Sequence, residues 1–155
     1  MIESWNLSTL TVAGQAVASL VATVAFCVIF GIPRRHWWQC GIIGTVGWTA
    51  YVVLFRYTVL SVTESTLIAS FIIALMSRQF AVWFKCPATV FLISGIFPIV
   101  PGGGIYWTIY HLMSGQYTNA LNTGSTAFMI SVSIAFAIIL VNQIPINFFK
   151  KLSKK

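Results

Sequence analysis

Hydrophobic residues fall along this chain in long runs, not in the short amphipathic stripes of a water-soluble fold. The first run covers about residues 10–32 and is closed by Pro33. Others cover about 40–55, 65–84 and 121–141. Residues 88–113 are apolar too, except for a break where Pro98, Pro101, Gly102, Gly103 and Gly104 fall within seven positions. A run of ~20 apolar residues spans the hydrocarbon core of a bilayer as a helix. The pattern therefore predicts an all-α integral membrane protein of about five transmembrane helices, forming a single transmembrane domain over residues 1–155. Proline removes an amide donor, and each glycine costs a helix ~1 kcal/mol relative to alanine. The fourth helix is accordingly predicted to be interrupted at Pro101, Gly102, Gly103 and Gly104. Residues 142–155 read as a basic cytoplasmic tail.

Small and polar residues recur at helical spacing within these runs. Gly14, Ala18 and Ala22 repeat every four positions, and Gly41, Gly44, Gly47 and Ala50 every three, which predicts two faces for close helix contact. On the third run Thr66, Ser70 and Ala74 share a face, with Arg78 one turn further on. Asn119, Asn122, Thr126 and Ser133 make a polar stripe on the last helix, suited either to lining a path or to bonding neighbouring helices.

Composition agrees with the periodicity. Of 155 residues, 58% are hydrophobic and 7% are charged, against ~25% charged in soluble domains. Mean hydropathy is +0.89. So few polar side chains cannot cover a surface facing water, and the lipid bilayer is the expected surroundings. The net charge of +7 does not point to nucleic acid, because the basic residues are short clusters between apolar runs. With five crossings and the N-terminus outside, eight of the nine basic residues lie inside and Arg56 alone lies outside. Positive charge concentrates on the cytoplasmic side, so the expected orientation is N-out and C-in. The first run is too long for a signal-peptide core and follows Glu3 instead of a basic cluster, so it is read as a retained helix.

Composition also removes chemistries. The chain has no Asp, and Glu3 and Glu64 are its only carboxylates, so paired-carboxylate catalysis lacks its groups. His36 and His111 are far apart, and Cys27, Cys40 and Cys86 form no CxxC pair. Neither an enzyme, a metal site nor a cofactor is expected.

The break carries the most chemistry. Freed amides and carbonyls in a membrane helix persist where they are buried in protein or line a polar cavity. The amides of Gly102, Gly103 and Gly104 would open a second half-helix with its positive dipole end at the break, a place for a carboxylate. The competing reading is a proline kink whose glycines serve tight packing. Arg56 and Glu64 are either an anion contact with a proton-linked carboxylate, or a loop salt bridge at the interface. Tyr106, Tyr110 and His111 follow the glycines, and His111 is either a proton shuttle or an interfacial histidine.

The stretch Phe97-Pro98-Ile99-Val100-Pro101-Gly102-Gly103-Gly104-Ile105-Tyr106, followed by Tyr110 and Gly115, resembles the PxxPGGGxY signature of the threonine/serine exporter family. More closely, the chain is similar to that exporter's small, separately encoded C-terminal half, with Asn122 opening the last helix. The resemblance implies a bacterial cell-membrane protein that exports threonine or serine, or in some bacteria the dicarboxylate succinate. It implies a companion membrane subunit with a cytosolic domain and about five helices. The residues and the resemblance together give a candidate site for a small carboxylate-bearing substrate at Pro101, Gly102, Gly103, Gly104, Tyr106 and Asn122, with Arg56, Glu64 and His111 as coupling or gating candidates. A structural subunit that does not itself transport is the alternative of a different class.

Overall fold

The computed structural model describes residues 12–153. The predicted start of the first helix, Glu3 and the last two lysines lie outside the described residues. Among the described residues the fold is helical without strands: α1 Val12–Ile29, α2 Trp37–Tyr57, α3 Val62–Phe84, α4 Ala88–Ile96, α5 Gly102–Met113, α6 Tyr117–Gln143 and α7 Ile146–Ser153. Four helices are long and apolar enough to cross a membrane, and the pair 88–99 and 102–113, bent by 51°, supplies a fifth if it is one span. The chain is a multi-pass α-helical membrane protein.

Several boundaries differ from the sequence reading, each for a local reason. The first helix ends at Ile29, because Gly31 adopts a φ of +63° and lets the Ile32 amide donate back to the Cys27 carbonyl at 2.9 Å. The chain is already helical ahead of the predicted start of the second run near residue 40. Arg34–His36 form a 3-10 turn that runs into α2 at Trp37, where the Trp37 indole N–H donates to the Ile32 carbonyl at 2.8 Å. α3 starts at Val62, ahead of the predicted residue 65, because Ser61 and Glu64 form a capping box.

The basic tail is also partly helical. Pro145 cannot donate to the Val141 carbonyl, which would be its partner one turn back. The Val141 carbonyl instead accepts from the Ile144 amide at 3.1 Å and from Arg78 Nη1 at 2.6 Å, and the Arg78 guanidinium lies 5.0 Å from the Phe149 ring. The side chain of α3 thus caps α6 and holds α7 against it.

α3 is the central element and packs against α2, α4, α6 and α7. α2 packs against α1, α3 and α4, whereas α5 packs on α6 and contributes no buried residue. The predicted glycine groove of α2 is real. A Cβ on Gly44 would stand 2.2 Å from Thr23 Oγ1 of α1, and one on Gly47 would stand 2.2 Å from Ile73 Cδ1 of α3. The predicted small face of α1 is not the one used within the chain. α1 buries Gln15, Ser19, Thr23 and Cys27, and leaves Ala18 exposed. Polar side chains are costly against lipid, so Ser19 turns inward to donate to the Gly44 carbonyl at 3.2 Å and Thr23 to the Ser19 carbonyl at 2.8 Å, while Val17 and Val21 face out.

The two neighbouring glycines of α2 make a quantitative contrast. A methyl group at Gly44 collides with the branched, hydrogen-bonded Thr23, whereas at Gly41 it meets Val24 Cγ2 at 3.2 Å. Gly44→Ala should destabilise the protein by about 1–3 kcal/mol, the usual cost of overpacking, and Gly41→Ala by clearly less. Thermal melting in detergent of the two variants side by side checks this, and equal melting temperatures would remove Gly44 from the packing argument.

Candidate substrate site at the helix break

The break is built by two prolines with different effects. Pro98 lies in a 3-10 turn, Phe97–Ile99, after which Val100 is extended at φ −58° and ψ 131°. Pro101, at φ −77° and ψ 52°, is the centre of an inverse γ-turn closed by the Gly102 amide on the Val100 carbonyl at 2.8 Å. The Ile105 amide returns to the Pro101 carbonyl at 3.0 Å. The three glycines do open the second half-helix, but their amides are not equivalent. Gly102 spends its amide on the γ-turn, and the first-turn amides of Gly103 and Gly104 are the ones left without a backbone acceptor among the described residues.

The break has a definite depth. A Cβ on Gly47 would lie within 4 Å of both Ile73 and Ile99. Gly47 and Ile73 are the central residues of α2 and α3, so the chain leaves α4 midway along its neighbours.

The glycines divide the work. A Cβ at Gly102 meets nothing within 4 Å, whereas at Gly104 it would stand 3.1 Å from the Ala127 Cβ of α6. Thr108, one turn beyond Gly104, donates to the Gly104 carbonyl at 2.7 Å and lies 3.2 Å from the Thr123 hydroxyl. A Cβ on Gly124 would stand 3.0 Å from Thr108 Cγ2. Thr108 and Thr123 were not selected from the sequence. Their signal was the set Gly104/Thr108 and Thr123/Gly124/Ala127, small residues at the spacing that lets two helices approach closely.

The remaining site candidates are dispersed. Tyr106 is 62% exposed, and its ring is 5.5 Å from that of Trp107. His111 stands nine residues beyond Gly102, ~13 Å along the helix, where its Nδ1 pairs with Gln116 Oε1 at 3.1 Å. Gln116 Oε1 also accepts from Asn119 Nδ2 at 3.0 Å. Asn122 is exposed on α6, five residues before Ala127, and its carbonyl accepts from the Ser125 and Thr126 hydroxyls. Ser133 likewise bonds its own helix, at the Met129 carbonyl. Among the described residues, Thr126 and Ser133 of the stripe thus bond within α6, whereas Asn119 shares Gln116 with His111 of α5.

Arg56 and Glu64 are not joined by an ion pair among the described residues, which corrects the salt-bridge alternative. Glu64 Oε2 accepts from the Ser61 amide at 2.7 Å and from its hydroxyl at 2.8 Å, completing the cap of α3. Arg56 Nη2 is enclosed without a hydrogen-bond partner. Two grooves of about 350 and 280 Å³ run between α5 and α6, lined by residues such as Thr108, Leu112, Gly124 and Phe128. The Thr108, Ser125 and Ser131 hydroxyls along them are spent on carbonyls of their own helices. These grooves are predominantly apolar.

Helices broken at proline and glycine recur in membrane transporters. A family profile described as Threonine/Serine exporter, ThrE, matches residues 15–144. The chain belongs to that family, which is one of transporters and not of enzymes. No solved structure matches the chain.

Because Glu64 serves a cap and not Arg56, the two side chains should act independently. Gln also completes a capping box, so Glu64→Gln should be nearly silent. In a double-mutant cycle with Arg56→Gln, the stability changes should add within ~0.5 kcal/mol. A coupling above ~1 kcal/mol would restore the ion pair.

Proposed function

We propose that this chain is one half of a secondary exporter for threonine, serine or a similarly small hydroxy amino acid, working in a bacterial cell membrane. Membership of the exporter family supports the class of substrate. The observation that carries the site is the break itself, where the open Gly102 and the unbonded amides of Gly103 and Gly104 begin α5. Those amides and the helix dipole favour a carboxylate. Pro101, Gly102, Gly103, Gly104 and Tyr106 contribute at the break itself. Asn122 and His111 act further along the path, and Arg56 acts as an outer anion contact. Glu64 is assigned to the α3 cap instead of to proton coupling.

The proposed topology has the N-terminus outside, with α4 and α5 forming one interrupted crossing. The partner is a companion subunit with a cytosolic domain and about five helices. α5, with no buried residue, and the exposed Ala18 side of α1 fit helices of such a companion. Two five-helix halves of opposite orientation resemble transporters built from inverted repeats, with the substrate between them.

Threonine efflux from cells expressing the chain with and without its companion tests this reading. Efflux should require both chains. Gly102→Leu adds bulk where nothing is in contact, so abundance should stay within about twofold while efflux is lost. Full efflux in Gly102→Leu would reduce the break to a packing device, and efflux by the chain alone would remove the companion.

The topology is checked at Cys86, in the turn between α3 and α4. An impermeant maleimide should label it in inside-out vesicles and not in intact cells. Burial raises the Cys86 pKa above the ordinary 9.0, against the opposing pull of nearby Arg35. Little thiolate exists at neutral pH, so labelling should accelerate as pH rises towards and past 9.0. Labelling of intact cells would invert the orientation.

A further inference from the structure

The helix hydroxyls of this protein follow a rule with informative exceptions. Thr66, Ser94, Thr108, Thr123, Thr126 and Ser131 each donate to a carbonyl three or four residues back. That bond is open to any serine or threonine in a helix and is the usual way to carry a hydroxyl through lipid. Ser70 and Ser77 do not use it. Both are on α3, at 0% and 1% exposure, and neither hydroxyl has a hydrogen-bond partner. Ser65 shares the feature, but it lies in the first turn of α3 and points elsewhere, 140° around the helix from Ser70 at 100° per residue.

Ser70 and Ser77 are two turns apart, so they share one face and stand ~10 Å from each other along the axis. Ile73, between them, marks the depth of the break through its contact with the Gly47 position, which also neighbours Ile99. The two hydroxyls therefore bracket the depth at which α4 gives way to α5. Around the helix, they lie between the Ile73 side, which meets α2 and α4, and the Arg78 side, which meets α6. α4 and α6 both pack on α3 and share no extensive contact with one another. The face of α3 that carries Ser70 and Ser77 thus lies along a closed seam between α4 and α6, beside the break.

A buried hydroxyl without a partner costs ~1–3 kcal/mol, and replacing it by an apolar group of similar shape is neutral or stabilising. Two such hydroxyls add nothing that alanine would not give to close packing on this face. They make sense if the seam opens during the transport cycle and the hydroxyls then meet water and substrate. We propose that Ser70 and Ser77 are the polar wall of the translocation path on the α3 side, hydrogen-bonding the ammonium, carboxylate or hydroxyl of a passing hydroxy amino acid. This rests on the export reading above and assigns that path its α3 residues.

The test uses the assembled exporter in cells. Ser70→Ala and Ser77→Ala should each lower threonine efflux about fivefold, the effect of one lost hydrogen bond, with abundance unchanged or raised. Ser70→Cys and Ser77→Cys should react with a small cationic methanethiosulfonate, identified by peptide mass, and millimolar threonine should slow that reaction. Cys27 and Cys40, both fully buried, should stay unmodified, and in membranes open to the reagent on both sides Cys86 should react with or without threonine. Cysteines at 70 and 77 that react only after denaturation, with alanine variants exporting at the wild-type rate, would overturn the proposal. Wild-type cells without threonine efflux would instead count against the export reading, because thiol accessibility does not depend on the choice of substrate.

Discussion

Ile73 stands where three helices meet. Its side chain fills the groove left by Gly47 on α2 and touches the position of Gly95 on α4, while Ile99 closes the same level from the proline turn. A methyl group on Gly47 would have to displace Ile73, and one on Gly95 would press 2.7 Å from Ile43 Cγ2. Helices in lipid gain no hydrophobic drive from associating, so close packing of this kind is what holds them. With Ile73 seated, α3 has a fixed rotation. That rotation turns Ser70 and Ser77 into the seam, brings Arg78 to the end of α6, and sets the depth of the break relative to α2 and α3.

The second requirement is that backbone and side-chain polar groups find partners without water. Most do so locally, through capping boxes, left-handed helix ends and hydroxyls folded back on their own helix. Arg78 extends the same economy across the bundle by donating to the Val141 carbonyl, from which Pro145 withholds a bond. Against this background, the unbonded groups among the described residues include the Gly103 and Gly104 amides, the Ser70 and Ser77 hydroxyls and one nitrogen of Arg56, together with the Ser65 hydroxyl, His36 Nδ1 and the Gln79 side-chain amide. The first two sets lie near mid-depth, and Arg56 lies at the end of α2.

Much of the fold was legible because bilayer thickness fixes helix length, and because prolines and glycines interrupt helices for steric reasons. The glycine groove of α2 followed from spacing alone. The burying face of α1 did not, because spacing identifies small residues at Gly14, Ala18 and Ala22 but not the stronger demand of the Ser19 and Thr23 hydroxyls for partners. Helix α7 was hidden by its lysines, which read as tail until Phe149 is seen against Arg78. Within the site, the break was visible as sequence, whereas the γ-turn that takes the Gly102 amide depends on the ψ of Pro101. Ser70 was visible as part of a face, and Ser77 was not, since nothing in a sequence reveals which hydroxyls lack a partner.

The contacts at Gly44 and Gly104 also determine which parts of the molecule can act as bodies. Thr23 is lodged against Gly44 and Ser19 is bonded to its carbonyl, so α1 cannot roll on α2 without breaking both. Gly104 against Ala127 and Thr108 against Gly124 fasten α5 to α6 in the same way. Between these two assemblies the chain passes through Val100 and Pro101, where helical hydrogen bonding lapses. Bending of α5 against α4 concentrates at those two residues, and the packing of α6 on α3 sets how far the α5–α6 pair can swing about them.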